Sequence, residues 1–316
     1  MQSVKNISPR QLMLLLAVLI LAVAGLTIPG LFSFDNLTQM LRQISVTGII
    51  ALGVTFVVIA GRLDLAVGSL LSLCAVVAVN LHDQVSPFAA LTVPVAIGCA
   101  VGLLNGFLVA QLRLNSLIVT LGMLSVLQSV SLVYTSGQNA LIDYPDATWF
   151  ASIGRGYILG IPVPVLVFVS LAALMAIVLG RTRFGREVFA VGGNETASRF
   201  STISTKRVVL ACYMISGTLT GVAAVVFSSR VMAAQNTSGS GLELQVLSAV
   251  ILGGTSLTGG AGGIGRTVIG VILLGFIQNA LLLMGLPYYV QWLVSWAVII
   301  VVVWADMASR QARLQA

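Results

Sequence analysis

Arg62 and Asp64 stand two residues apart in the stretch Gly61-Arg62-Leu63-Asp64-Leu65-Ala66-Val67-Gly68-Ser69, between two long apolar runs. A cation and a carboxylate at that spacing are able to pair. Asp64 is equally able to accept from the first N–H groups of the following helix. One reading is a tight turn with a capping aspartate. The other is a gate or a transmitter of motion, with Arg62, Asp64 and Gly68 as its parts. A second concentration is residues 181–207, RTRFGREVFAVGGNETASRFSTISTKR. It holds six cations and two glutamates in a chain whose charged fraction is 8%. Each charge would cost about 2.5–3.5 kcal/mol at a bilayer centre even on a lenient scale, so this segment belongs in water. Asn194 suits the N-cap of a short helix running to Ser201, with Glu195 favourable in its first turn. Glu195 and Arg199, four apart, share a helical face and can pair. Such a helix is a handle for a soluble partner; the plainer reading is a solvated loop that only fixes topology.

The third stretch is 250–266, VILGGTSLTGGAGGIGR, with seven glycines in 17 residues. A nucleotide-binding loop would need a closing Gly-Lys-Ser/Thr, which is absent. The pattern instead predicts irregular backbone, which membrane proteins tolerate only where it is buried in protein or lines a cavity. Gly253, Gly254, Gly259 and Gly260 are the candidate positions of this second helix break. Asn105, Gln128, Gln278 and Asn279 interrupt apolar runs. Each could bond a sugar hydroxyl along a path, or tie two helices together. His82 is the one histidine, and Cys74, Cys99 and Cys212 lie singly in apolar runs, so no metal or catalytic cluster is expected. No intramembrane lysine and no carboxylate ladder suggests ion-driven transport, so the energy should come from a separate cytoplasmic subunit.

The elements that position these residues are membrane helices. The chain is 58% hydrophobic with mean hydropathy +1.05, far beyond a soluble protein. Its net charge of +7 sorts by loop, so no nucleic-acid partner is needed to explain it. Ten apolar segments are expected, near 11–28, 44–60, 65–81, 88–110, 114–134, 163–180, 208–227, 244–257, 268–284 and 290–304. The first is an uncleaved helix rather than a signal peptide, because Ala22-Val23-Ala24 lies inside the apolar run. With the N-terminus inside, 13 of the 16 Lys and Arg fall on inside loops, and only Arg42, Arg155 and Arg230 fall outside. That split predicts both termini in the cytoplasm. Gly98, Gly102 and Gly106 form one helical face, as do Gly217 and Gly221, and both should serve close helix packing. The whole of 1–316 reads as a single all-α transmembrane domain.

Four blocks in order resemble the permease subunits of ribose-type sugar ABC importers. They are Gly61–Leu70, RFGREVFAVGGNETASRFSTI in the charged loop, Gly239–Gly260, and LLGFIQNALLLMGLPYYVQ near the C-terminal end. Arg62 stands where the family usually has glycine, and Arg266 likewise. The resemblance implies a bacterial inner-membrane, multi-pass, non-enzymatic transport subunit. It implies a second permease, identical or related, a cytoplasmic ABC ATPase carrying ATP and Mg, and a periplasmic sugar-binding protein. No cofactor would be bound by this chain. Residues 192–203 would form the coupling helix, with Gly192, Gly193, Asn194, Glu195, Ala197 and Arg199 at the ATPase. The cargo would be a pentose, hexose, deoxysugar or furanose-type signal molecule. Branched-chain amino acid permeases are the nearest alternative, and a self-contained channel or membrane-embedded binding protein is the alternative from another class.

Overall fold

The computed structural model describes residues 28–143, 148–287, 289–291, 293 and 297. In chain order its elements are α1 (Phe34–Ile59), α2 (Val67–Gln84), α3 (Pro87–Ala110), α4 (Ser116–Thr135), β1 (Ala140–Leu141), α5 (Phe150–Arg155), β2 (Tyr157–Ile158), β3 (Ile161–Pro162), α6 (Val163–Arg181), α7 (Arg183–Gly193), α8 (Glu195–Phe200), α9 (Thr205–Val231), β4 (Ala233–Ala234), α10 (Leu242–Leu252) and α11 (Ile264–Leu283). Among the described residues, α1, α2, α3, α4, α6, α9 and α11 are long and apolar enough to cross a membrane, and α10 is a shorter apolar helix. Each of the eight apolar segments expected from 44 to 284 therefore contains a helix. The expected first and tenth spans, 11–28 and 290–304, lie almost wholly outside the described residues.

Local chemistry sets the helix ends. Ser86 accepts from the Ala89 N–H at 3.2 Å, with Pro87 opening α3. Asn115 accepts from the Leu117 N–H at 2.9 Å at the start of α4. Between β2 and β3, Leu159 and Gly160 both have positive φ, the twist a two-residue hairpin turn needs. β1 and β4 pair antiparallel, Ala140 opposite Ala234.

The chain divides into two compact units, residues 42–271 and residues 1–41 with 272–316. In the larger unit α2 is buried along Val67–Val79. α3 and α9 meet through their glycines: a side chain at Gly98 would collide with the Gly217 carbonyl, and one at Gly221 would lie 2.6 Å from the Pro94 carbonyl. The two stripes expected to serve packing thus pack on each other. α4 and α6 have only 22% and 17% of their apolar windows buried, so their remaining apolar surface is left for lipid or another subunit. In the smaller unit Asn36 and Asn279 exchange two side-chain hydrogen bonds at 2.7 and 3.0 Å.

Candidate functional site

The charged loop folds into two helices rather than one. Thr182 caps α7 by accepting from the Gly185 N–H at 3.2 Å. α7 buries Gly185, Val188 and Val191 at three-residue steps, one stripe of a surface helix. Phe184 on α7 stacks against Phe56 near the end of α1, ring centres 6.1 Å apart. Asn194 then ends α7 and caps α8, its Oδ1 accepting from the Ala197 N–H at 2.9 Å. The expected cap and short helix are present. The expected 192–203 helix is not continuous, because Gly192 and Gly193 finish α7, and the extended backbone of Asn194 separates them from α8. Ala197 and Arg199 are exposed on α8, beside Phe200, which is 87% exposed.

Glu195 joins this loop to the first helix break. One of its oxygens takes Arg199 at 2.6 Å, the expected i, i+4 pair, and the other takes Arg62 at 2.6 Å. The pairing of Arg62 with Asp64 considered from sequence does not occur. Asp64 is buried instead, accepting from Ser216 Oγ of α9 at 2.8 Å and from the Ala66 N–H at 3.2 Å. It therefore does supply one amide bond at the start of α2, where Ala66 is the N-cap residue. Burial pushes the Asp64 carboxyl up to about 6, against the opposing pull of the Ser216 and Ala66 hydrogen bonds. Two further bonds hold Leu63 between these charges: Tyr213 Oη donates to its carbonyl at 2.7 Å, and Ser116 Oγ accepts from its N–H at 3.3 Å. The break is thus tied to α4, α8 and α9 at once.

Glycines bring the second break to the same place. Gly260 N–H donates to the Ile59 carbonyl at the end of α1, at 2.9 Å. A side chain at Gly192 would collide with the Ile59 carbonyl and lie 2.6 Å from Gly260 N. One at Gly259 would lie 2.7 Å from the Gly192 carbonyl and 2.9 Å from Gly61 Cα. Three chain segments, 59–62, 192–193 and 258–260, therefore meet backbone to backbone, with no room for a Cβ at Gly192, Gly259 or Gly260. Gly259 and Gly260 also hold positive φ, +84° and +71°. Residues 253–263 are irregular, with Thr255 and Ser256 buried and Leu257, Thr258 and Ala261 exposed. Gly253 abuts the Arg266 carbonyl, whereas Gly254, at φ +88°, has open space around it. Gly68 is elsewhere: it packs against the Gly239 carbonyl and the Glu243 side chain at the start of α10.

The four polar candidates are divided between the two units, Asn105 and Gln128 in the larger, Gln278 and Asn279 in the smaller. Gln128 donates to the Asn236 carbonyl at 2.9 Å, while Ser131 and Thr135 donate to Asn236 Oδ1 at 2.8 and 3.0 Å. Gln128 is a tie between α4 and the loop after β4. Asn279 is spent on Asn36. Gln278 belongs, like Asn279, to the smaller unit. Asn105 is buried on α3, and its Oδ1 has no hydrogen-bond partner among the described residues. Ser216, Tyr213, Asn236 and Phe200 escaped the sequence reading. All but Phe200 act through contacts more than 90 residues away in the chain, and Phe200 is one apolar residue in a polar loop.

The opposite end of the larger unit is built by arginines. Arg42 is buried and donates to the Arg155 carbonyl at 2.8 Å, with its guanidinium 4.4 Å from the centre of the Tyr157 ring. Arg155 in turn donates to the Arg230 carbonyl at 2.9 Å. These are the three cations that the charge count assigns to a common side.

Residues 36–303 match the family model described as branched-chain amino acid transport system / permease component. The chain is 38% identical over 291 residues to the ribose import permease protein RbsC of Haemophilus influenzae, covering 92% of this chain and 90% of that one. It is 38% identical over 292 residues to the Bacillus subtilis RbsC, with the same coverage. To the L-arabinose ABC transporter permease protein AraH of Azospirillum brasilense it is 34% identical over 296 residues, covering 92% of this chain and 86% of that one. No solved structure matches.

Proposed function

The chain belongs to the branched-chain amino acid transport system permease component family, and on that footing we propose that it is the membrane-spanning subunit of an ATP-driven sugar importer. The ribose and arabinose permeases among its relatives favour a monosaccharide over a branched-chain amino acid. In this reading ten spans cross a bacterial inner membrane with both termini in the cytoplasm. The charge split supports that orientation, since Arg62, Arg113, Arg199 and Lys206 gather at one end while Arg42, Arg155 and Arg230 gather at the other. A periplasmic binding protein delivers the sugar, a second permease completes the path, and a cytoplasmic ATPase supplies the work. This chain hydrolyses nothing.

The observation that carries the mechanism is the meeting of α7 and α8 with both helix breaks. An ATPase that seizes the exposed face of α8 at Ala197, Arg199 and Phe200 displaces Glu195 with it. Glu195 pulls on Arg62, and the Gly192 backbone bears on Ile59, Gly259 and Gly260. One displacement thus reaches the turn into α2 and the turn into α11 together. Backbone surfaces without side chains do not interdigitate, so they are able to shift against each other without repacking.

Reconstitution tests the reading. With the ATPase and binding protein present, vesicles should accumulate labelled ribose or arabinose only with ATP. Accumulation of leucine instead would favour the amino-acid permease, and sugar flux without the ATPase would favour a self-contained channel.

A further inference from the structure

Beside the junction lies a cleft of about 290 Å³, between the α3–α4 turn, α8 and the start of α9. Its walls carry Arg62, Arg113, Arg199 and Lys206 against one carboxylate, Glu195. Glu195 is already shared by Arg62 and Arg199, and no carboxylate pairs with Arg113 or Lys206 among the described residues. Arg62 Nε is buried with no hydrogen-bond partner among the described residues. α9 opens on the cleft through Thr205 and Lys206, and its N-cap residue Ser204 makes no side-chain capping bond, so the positive end of a 27-residue helix adds to the field. Arg113 is held at φ +58°, a left-handed backbone where glycine is the usual occupant.

We infer that this cleft is a binding site for a phosphate group. Four cations against one carboxylate leave three positive charges, since 4 − 1 = 3. A single protein carboxylate would neutralise only one of them. A phosphate brings more charge and several strong acceptor oxygens for guanidinium and ammonium donors. The volume is at the small end of ligand clefts, enough for a phosphate with a glycerol or sugar attached. Two sources share that chemistry: the headgroup of an anionic lipid, for which basic pockets between membrane helices are suited, and a soluble phosphorylated metabolite.

The test uses the full-length chain in detergent micelles, with binding read by native mass spectrometry. The probes are phosphatidylglycerol, phosphatidylcholine and glycerol 3-phosphate. Arg113→Gln with Lys206→Gln removes two cleft cations, and at about fivefold per cation binding should weaken about twenty-five-fold. Arg181→Gln with Arg183→Gln removes two cations outside the cleft and should leave binding unchanged. Retained phosphatidylglycerol, lost in the cleft variant, identifies a lipid headgroup. Retained glycerol 3-phosphate with the same pattern identifies a soluble ligand. Should the double variant fail to fold, Arg113→Gln alone should weaken binding about fivefold and Arg113→Lys should restore it. The site does not exist if neither phosphatidylglycerol nor glycerol 3-phosphate separates the cleft variants from wild type, or if the control pair loses as much.

Discussion

The two ends of residues 42–271 are held by opposite means. At one end Arg42 and Arg155 bridge separate segments through long side chains that donate to the backbone carbonyls of Arg155 and Arg230. At the other, 59–62, 192–193 and 258–260 meet with almost no side chains between them, and one ion-paired network, Arg62–Glu195–Arg199, spans the contact. A side-chain staple fixes the distance between helices, because moving one breaks charge-assisted hydrogen bonds worth about 1.5–3 kcal/mol each. A glycine contact fixes how closely two backbones approach, and here one backbone hydrogen bond, from Gly260 N–H to the Ile59 carbonyl, and otherwise only dispersion oppose their sliding. The contrast assigns rigidity to the arginine end and motion to the glycine end, and mutations at the two ends should therefore fail differently.

The largest effect is expected at Gly192. Even the methyl of Gly192→Ala would collide with the Ile59 carbonyl, and overpacking of this kind costs about 1–3 kcal/mol. ATP-driven uptake should fall at least about tenfold while the amount inserted in the membrane is unchanged. Gly193→Ala is the matched control, because nothing lies within 4 Å of its added carbon, and it should transport normally. Gly260→Val should be worse than Gly254→Val, since both are strained by positive φ but only at Gly260 would the added Cβ also lie 2.8 Å from Gly193 Cα. Equal losses for Gly192→Ala and Gly193→Ala would dissolve the junction.

At the arginine end the expected failure is in stability. Arg42→Ala removes a donor to the Arg155 carbonyl and a guanidinium over Tyr157. It should lower the melting temperature in micelles by several degrees, consistent with about 2 kcal/mol, and leave sugar moved per ATP unchanged. A changed ratio would mean that this end also takes part in coupling.

A smaller, pH-dependent effect belongs to Asp64, beside the junction. Burial raises its pKa from 3.8 to about 6. A raised folded value means that the proton favours the folded state. That contribution is fully present below about 3.8 and lost as pH rises through about 6. The full difference is on the order of 3 kcal/mol. Wild type should gain stability relative to Asp64→Asn as pH falls from 7 to 4, read by melting in micelles. Parallel melting curves across that range would show that the carboxyl is not buried as described.

How much of this was legible in the sequence follows from the range of each interaction. Apolar runs located the seven described helices long and apolar enough to cross a membrane and the shorter α10, and Asn194 marked the start of α8, because hydropathy and capping act within a few residues. α7 went unread because its stripe lies inside the most charged loop, where charge dominates the pattern. The seven glycines of 250–266 announced irregular backbone, yet nothing periodic links Gly259 to Gly192 or Gly61. Arg62 and Glu195 are 133 residues apart, and local spacing pointed Arg62 at Asp64 instead. The resemblance leads one to expect glycine at 62, so it carried no hint that this residue is a partner of the loop. Ser216 is likewise an ordinary helical serine until the fold delivers it to Asp64.

The claim that the loop drives the first break through one ion pair is tested most directly by a double-mutant cycle on Arg62→Ala and Glu195→Ala, with sugar transported per ATP hydrolysed measured in reconstituted vesicles. Both side chains remain about one-third exposed, so the pair should matter little to folding, about 1 kcal/mol or less. Each single variant is predicted to lower the coupling ratio several-fold, and the double variant to be no worse than the poorer single one, because either change alone breaks the same link. Multiplying losses, or singles that couple as well as wild type, would contradict transmission through this pair.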